Sequence, residues 1–579
     1  MKELINNFLI TKKIIRTYYK KNTFFLNFLF IAQSILEIAT IFLVLLLLKQ
    51  ILNIETAIFN KFGILLNKNE MVMYLSLFTL SFLILSFFLN LHINRKIINF
   101  SYGIYAEIVK KTFDNFISAD YINISSMSYS FVSSRLLNET RRLCELVIVP
   151  YLMVISKLVV LILITIGLII YKPLVSITSI ALIVVIFTIF YYFTRSKNIH
   201  HGKQISTLDK KMLSIVNNAF YGFKELKLNN LNKNFNQDFE TNQKNLAKTL
   251  MMIKFIHSSA RYFIELAIFS IFIITIMYLN YKNLLNGDAI SLMAFYLFVI
   301  LKILPYINVV YLNFGLWKTH YHALESVDDF NKKLSYRKTY LNDQSIKKNY
   351  LDEIKEIELK KFAYGYNENR KAINLNHDIK FKKKTIIGLK GDSGSGKTTL
   401  LDIISGLITI TNEKNGGVYL NNKNINEFYK KEYFKKISYV QQRVFLLQDT
   451  IKNNIILDKK YDNKLFEKVL DLSCSTNFLR ERTKDNHSRV DELISFGREN
   501  FSGGQIQRIG IARALYKCPK IICLDEATNA LDEKLENTIL KNIFEMESID
   551  FIFISAHNHK ILEKCDIILE FKEGLVKQV

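Results

Sequence analysis

Proline and glycine are scarce, at 4 and 20 of 579 residues, which excludes collagen-like and linker-like chains. Five cysteines are too few, and odd in number, for a disulfide scaffold. Charged residues make up only 22% against 50% hydrophobic, and 44 Phe plus 30 Tyr demand burial, so the chain is not disordered. The length calls for more than one domain. A mean hydropathy of +0.14 is intermediate, so its distribution along the chain decides the class. The excess of 77 Lys and Arg over 52 Asp and Glu, a net +25, invites a nucleic-acid reading. Lys and Asn are abundant everywhere, however, and much of the cationic excess flanks apolar runs, where a membrane protein keeps it.

Six stretches before residue 315 are long and apolar enough to span a bilayer: 24–48, 71–91, 149–171, 174–193, 262–281 and 290–312. One alone reads equally well as a buried core helix; six in one half-chain do not. The N-terminal run is too long for a signal peptide and lacks a small-residue cleavage site. With six spans and no basic-aromatic module, no nucleic-acid partner is expected.

The links alternate. Residues 49–70, 172–173 and 282–289 are short or modest, whereas 92–148 and 194–261 are long and polar. Spans two to five are therefore expected to continue as helices beyond the bilayer on one side. That side carries Lys2, Lys12, Lys13, Arg16, Lys20 and Lys21, then Arg95, Lys96, Lys110, Lys111, Arg141 and Arg142. The other carries Lys49, Lys61, Lys68, Lys172 and Lys282. The positive-inside rule puts the N-terminus and both long links in the cytoplasm, and an even number of spans puts the C-terminal half there too. Cys474, Cys518, Cys523 and Cys565 in that half suit a reducing compartment.

Hydropathy falls after about residue 320, and 331–350 reads as a linker between domains at 1–330 and 351–579. The apolar run Thr385–Leu389 leads into GDSGSGKT at 391–398 and then a helical pattern, the context a phosphate-binding loop requires. Gly391, Gly394 and Gly396 let backbone N–H groups turn inward around phosphate oxygens. Asp392, Ser393, Ser395 and Thr399 complete the cradle, Lys397 supplies charge, and the Thr398 hydroxyl suits Mg²⁺. IICLDE at 521–526 is a strand ending in two acids: Asp525 can hold Mg²⁺, and Glu526 can polarise a water. Ser502, Gly503, Gly504 and Gln505 open a helix whose N-terminus can receive a second phosphate from outside.

At these residues the chain resembles the ATP-binding cassette (ABC) transporters, as an exporter-type half-transporter along its whole length. The family signature is usually LSGGQ, and Phe501 stands here for its Leu, a change that touches packing rather than the phosphate-facing groups. The resemblance implies a multidomain fold: an all-α six-span membrane domain, then an α/β P-loop ATPase domain with ABC-specific helical and antiparallel β subdomains. It implies ATP and Mg²⁺ as cofactors, Tyr366 stacking on adenine with Tyr364 as competitor, and Gln442 reaching Mg²⁺ and the attacking water. It also implies a D-loop ending at Asp532 and a switch histidine at His557, with His559 a decoy facing solvent. With Glu526 and His557 both present, two equivalent sites in a homodimer in the cytoplasmic membrane are expected.

Segments 118–126 and 217–227 resemble coupling helices, though each reads equally as an ordinary amphipathic turn. Among ionisable residues inside or beside spans, Glu37, Arg261, Glu265 and Lys302 are candidates for the cargo pathway, and Lys157 is a further suspect. Arg261 and Glu265, spaced i,i+4, can equally pair on one helix face. More loosely, the membrane half is similar to bacterial lipid-linked oligosaccharide flippases, with 55–68 as an outer amphipathic helix. A lipid or lipid-linked amphiphile is the expected cargo. Peptides or amphipathic drugs are the alternative, and a channel or nucleotide sensor on the same scaffold is the alternative of another class.

Overall fold

In the computed structural model, the described residues are 7–13, 15, 20–51, 68–281, 287–335, 353–366, 372–410, 416–427, 430–480, 489–494, 501–556 and 558–579. They form two units, one of residues 1–118 and 127–336, the other of residues 119–126 and 337–579.

The first unit is helical. Its long helices are α1 (Lys20–Ile51), α2 (Lys68–Ile117), α3 (Val149–Tyr171), α4 (Pro173–Tyr221), α5 (Asn232–Tyr281) and α6 (Gly287–His320), followed by α7 (His322–Ser335). Each apolar stretch read from the sequence lies inside one of α1 to α6. Among the described residues, four helical segments are long and apolar enough to cross a membrane: Thr23–Ile51, Asn69–Ile117, Tyr129–Tyr171 and Leu292–Leu334. At 1.5 Å per residue, a 50-residue helix such as α2 or α5 is roughly 75 Å long, over twice the ~30 Å hydrocarbon core. Pro173 starts α4 at its first turn, where a missing N–H loses nothing. The helix leading into α3 widens into π-type turns at Ser134–Glu139 and Cys144–Ile148. In the second segment read as a coupling helix, a short helix occupies Phe223–Leu228. Helix α7 runs to Ser335, covering the first five residues of the stretch read as linker, while 336–350 and 55–67 lie outside the described residues.

Two apolar clusters hold this unit. One joins α2, α3, α6 and α7 through Ile93, Ile97, Ile104, Leu152, Trp317 and Leu324. The other joins α1, α3 and α6 through Ile41, Leu45, Val160, Ile164, Phe295 and Val299.

The second unit has two sheets. The strands are β1 (Glu356–Lys360), β2 (Phe362–Tyr364), β3 (Ile373–Leu375), β4 (Ile379–Lys382), β5 (Thr385–Gly391), β6 (Gly417–Leu420), β7 (Lys423–Asn424), β8 (Ile437–Val440), β9 (Ile521–Asp525), β10 (Phe551–Ser555), β11 (Ile567–Lys572) and β12 (Leu575–Gln578). The small sheet is antiparallel, ordered β4-β1-β6-β7. The large sheet is ordered β2-β3-β12-β11-β5-β10-β9-β8, with β11, β5, β10, β9 and β8 parallel. All five residues of β9 and of β10 are buried, as parallel strands covered on both faces must be. Helices α8 (Lys397–Ile404), α9 (Gly503–Tyr516) and α10 (Glu533–Phe544) follow the phosphate loop, the signature and the Asp525–Asp532 turn.

Candidate functional site

Parallel strands deliver their carboxyl ends to one edge, where open α/β sheets bind ligands. Here the register aligns Ser555 with both Asp525 and Leu389, and Val440 with Leu524. The phosphate loop after β5, the acids ending β9 and the Gln442 segment after β8 therefore meet without any sequence proximity.

The loop needs its glycines. Gly396 has φ +108°, and a Cβ there would lie 2.6 Å from the Ala372 carbonyl oxygen. Gly394, at φ +80°, has nothing within 4 Å of that position, so the loop is open on that side. Lys397 is buried, and its Nζ donates to the carbonyls of Gly391 (2.6 Å) and Asp392 (3.0 Å), inside the curve of the loop. Ser395 Oγ is buried without a hydrogen-bond partner. An open glycine loop, a lysine inside it and an orphaned hydroxyl fit a polyphosphate. Asp392 and Ser393 are exposed on the same loop.

The metal side is equally furnished. Asp525 is 5% exposed and accepts from Tyr439 Oη at 3.2 Å. Burial, with Glu526 repulsion adding, raises the Asp525 pKa, and a divalent cation would relieve the confined negative charge. Thr398 and Asp525 thus fit Mg²⁺, which would neutralise charge on bound phosphates. Gln442 donates from Nε2 to Glu526 Oε2 at 2.6 Å, and Asn529 Nδ2 donates to the same oxygen at 2.9 Å. Glu526 has φ +47°, a left-handed conformation uncommon for a side-chain-bearing residue and typical of functional positions. His557 lies outside the described residues; His559 is exposed.

Tyr366 is 55% exposed, and its hydroxyl lies 3.3 Å from Thr399 Oγ1. Tyr364 instead packs against the core, 5.5 Å from Tyr366 ring to ring, so Tyr366 presents the more open face.

The signature segment caps itself. Ser502 Oγ accepts from the Gln505 backbone N–H (3.3 Å), and Gln505 Oε1 accepts from the Ser502 backbone N–H (2.9 Å), a capping box. Gly504 approaches Ala530 so closely that a Cβ would lie 2.8 Å from its carbonyl oxygen. Phe501 is buried against Phe478, ring centroids 6.2 Å apart. Asp532 accepts from the Leu535 N–H at 2.9 Å and so caps α10.

Several partners went unread in the sequence. Gln507 Oε1 accepts from Ala530 N (3.0 Å), tying α9 to the segment before Asp532. Arg513 donates to the carbonyls of Asn454 and Phe445, anchoring the loop beyond Gln442. Asp402, one turn past Thr398, is buried beside Asp525 and pushed up to about 6 by burial, with Asp525 adding and the Tyr439 hydroxyl opposing. Only the i,i+4 spacing of Thr398 and Asp402 hinted at it.

In the membrane-type unit, Glu37 is fully buried and accepts at Oε1 from Ser86 Oγ (2.6 Å), Tyr306 Oη (2.6 Å) and Asn90 Nδ2 (3.1 Å). Lys302 Nζ pairs with its Oε2 at 3.0 Å. Lys157 donates to Asn90 Oδ1 at 3.0 Å, Gln33 donates to the same oxygen, and Lys157 stands 5.2 Å over the Tyr306 ring. This network joins α1, α2, α3 and α6. Arg261 and Glu265 are separate, an i,i+4 pair at 2.6 Å on α5 with Arg261 exposed. A cavity of about 350 Å³ lies along α1 and α3, lined by apolar residues including Ile38, Phe42, Ile164 and Phe295 and by none of the network's polar side chains.

Residues 375–529 match the ABC transporter family model. The chain is 27% identical over 528 residues to a Rickettsia prowazekii protein named as an export ATP-binding/permease protein, covering 88% of this chain and 86% of that one. It is 33% identical over 217 residues to an ATP-dependent lipid A-core flippase of Pectobacterium atrosepticum, 37% of this chain and 36% of the flippase. A bacterial Atm1-family ABC exporter with ATP bound shares the fold at a TM-score of 0.77 and 15% identity, over 95% of this chain and 94% of that one. The chain therefore carries an ABC transporter ATPase domain over residues 375–529, preceded by a helical membrane-type domain, and along most of its length it is similar to export ATP-binding/permease proteins.

Proposed function

We propose that the chain acts as a homodimer with six spans per copy in the cytoplasmic membrane, moving a lipid or lipid-linked amphiphile by ATP-driven alternating access. Lys397 and the Gly391–Thr399 loop would bind the phosphates of ATP. Thr398, Gln442 and Asp525 would hold Mg²⁺, and Tyr366 would stack on the adenine. Glu526 would polarise the attacking water, with Gln442 and Asn529 fixing its carboxylate. Ser502 to Gln505 of a second copy would close on the γ-phosphate, with His557 as its switch. The catalytic cycle would then bias the membrane domain between two openings.

The observation that carries the cargo reading is the buried network around Glu37. It sets one carboxylate against two ammonium groups, Lys302 and Lys157, and a cavity lined by apolar side chains runs along two of the same helices, α1 and α3. Unbalanced positive charge at membrane depth favours an anionic headgroup, and the apolar cavity suits a chain. The likeness to a lipid A-core flippase agrees with this. ATP turnover in nanodiscs, wild type beside Glu526→Gln, tests it. Turnover lost in the variant and raised by an anionic lipid fraction supports the proposal. Stimulation by peptides or hydrophobic cations alone rejects the lipid cargo. No turnover under any condition rejects the active transporter.

A further inference from the structure

Two amide side chains, Gln442 and Asn529, hold Glu526 by the same oxygen. They come from different segments, one after β8 and one in the turn after β9. A third side chain reaches the backbone of both. Gln507 lies on α9, four residues after Gly503, and is 5% exposed. Its Oε1 accepts from the Ala530 N–H at 3.0 Å. Its Nε2 lies 3.5 Å from the Gln442 carbonyl oxygen, at the outer limit of a hydrogen bond. The link to Ala530 is therefore the stronger of the two.

The turn after β9 closes on itself at either side of Ala530. The Asn529 N–H donates to the Glu526 carbonyl at 3.3 Å, and the Leu531 N–H to the Thr528 carbonyl at 3.0 Å. The Ala530 N–H between them goes to α9 instead. That N–H and the Asn529 carbonyl belong to one rigid peptide plane, so fixing it fixes a backbone torsion that aims the Asn529 side chain. The first turn of α9 meets Ala530 from a second direction. A Cβ on Gly504 would lie 2.8 Å from the Ala530 carbonyl oxygen, and one on Gly503 would lie 3.6 Å from Ala530 Cβ. Asn529 itself is exposed, so its aim depends on its backbone and not on enclosure of its side chain.

We propose that Gln507 is a positioning residue for ATP hydrolysis: by holding the Ala530 amide it keeps Asn529 on Glu526, so that the helix opening at Ser502–Gln505 fixes the aim of that carboxylate. The route runs from Gln507 to Ala530, through one peptide plane to Asn529, and on to Glu526. Its two hydrogen bonds act in series, so losses of Gln507 and of Asn529 should not add. A misplacement of about 1 Å at a reacting group costs up to about a hundredfold in rate.

The proposal rests on the reading of Glu526 as the group that polarises the attacking water. The test uses the full chain in nanodiscs and measures kcat for ATP, the dissociation constant for trinitrophenyl-ATP and the melting temperature. Gln507→Met keeps the volume and removes the acceptor. It should lower kcat about tenfold and leave the dissociation constant within about twofold of wild type. Asn529→Ala removes an exposed side chain, so it tests the same route even where Gln507→Met fails to fold. It should lower kcat by a similar factor with the melting temperature close to wild type. The double variant should match the slower single one within about twofold. Unchanged kcat in either single variant, losses that multiply in the double variant, or a parallel loss of nucleotide affinity would overturn the positioning role. Glu526→Gln separates the two failures. If it keeps wild-type kcat, the reading of Glu526 falls and this proposal with it. If it abolishes turnover while Gln507→Met leaves kcat intact, this proposal alone falls.

Discussion

Gly510 offers a quantitative check on the packing that aims Gln442. It lies buried in α9, and a Cβ there would stand 2.5 Å from Val444 Cγ2 and 2.8 Å from Val444 Cγ1. Carbon atoms prefer about 3.5–4.0 Å, so Gly510→Ala requires a shift of roughly 1 Å at the interface. Overpacking of this kind typically costs about 1–3 kcal/mol. Alanine in place of glycine inside a helix returns about 1 kcal/mol. The net destabilisation is then up to about 2 kcal/mol, or a melting shift of about 4–8 °C for a unit of this size. Val444 is two residues beyond Gln442, whose amide holds Glu526 at 2.6 Å, so the displacement should also reach the Glu526 carboxylate. Gly510→Ala should lower the melting temperature of the full chain in nanodiscs and reduce kcat for ATP. Removing the obstructing methyls with Val444→Ala should restore both in the double variant, although Val444→Ala alone is mildly destabilising. The coupling energy of the cycle should exceed about 1 kcal/mol. Unchanged melting and turnover in Gly510→Ala, or losses that simply add in the double variant, would refute the reasoning.

Three further outcomes follow from the same kind of argument. Glu37→Ala should destabilise the membrane-type unit by about 1–3 kcal/mol in thermal unfolding, because the half-buried Lys302 loses its partner, and Glu37→Ala with Lys302→Met should recover much of it. Asp532→Ala should cost about 1 kcal/mol through loss of the α10 cap, while Asp532→Asn should be nearly neutral in melting temperature. Phe501→Leu should cost under about 1.5 kcal/mol and leave ATP turnover near wild type, since the ring packs on Phe478 and not on the capping box.

What was legible in the sequence was what is local. The phosphate loop, the acids ending β9 and the signature are contiguous strings, each beside the strand or helix its chemistry requires. Two local signals were there to be read further. Ser502 and Gln505 have the spacing of a capping box, and Asp532 stands where a helix cap is expected. The coarse order of a helical membrane-type half and an ATPase half was equally open, because apolar runs of span length must satisfy their backbone internally.

The sequence by itself determined the chemistry of the cassette and the helical character of the first half, since each depends on residues within a turn or two of one another. Only the tertiary structure decided which distant residues share a partner. It set Glu37 against Lys302 and Tyr306 across 265 and more positions. It put the Tyr439 hydroxyl on Asp525, and Val444 against Gly510. Such pairings follow from strand register and helix packing, which sum many weak contacts over the whole fold. No single stretch of sequence contains that sum.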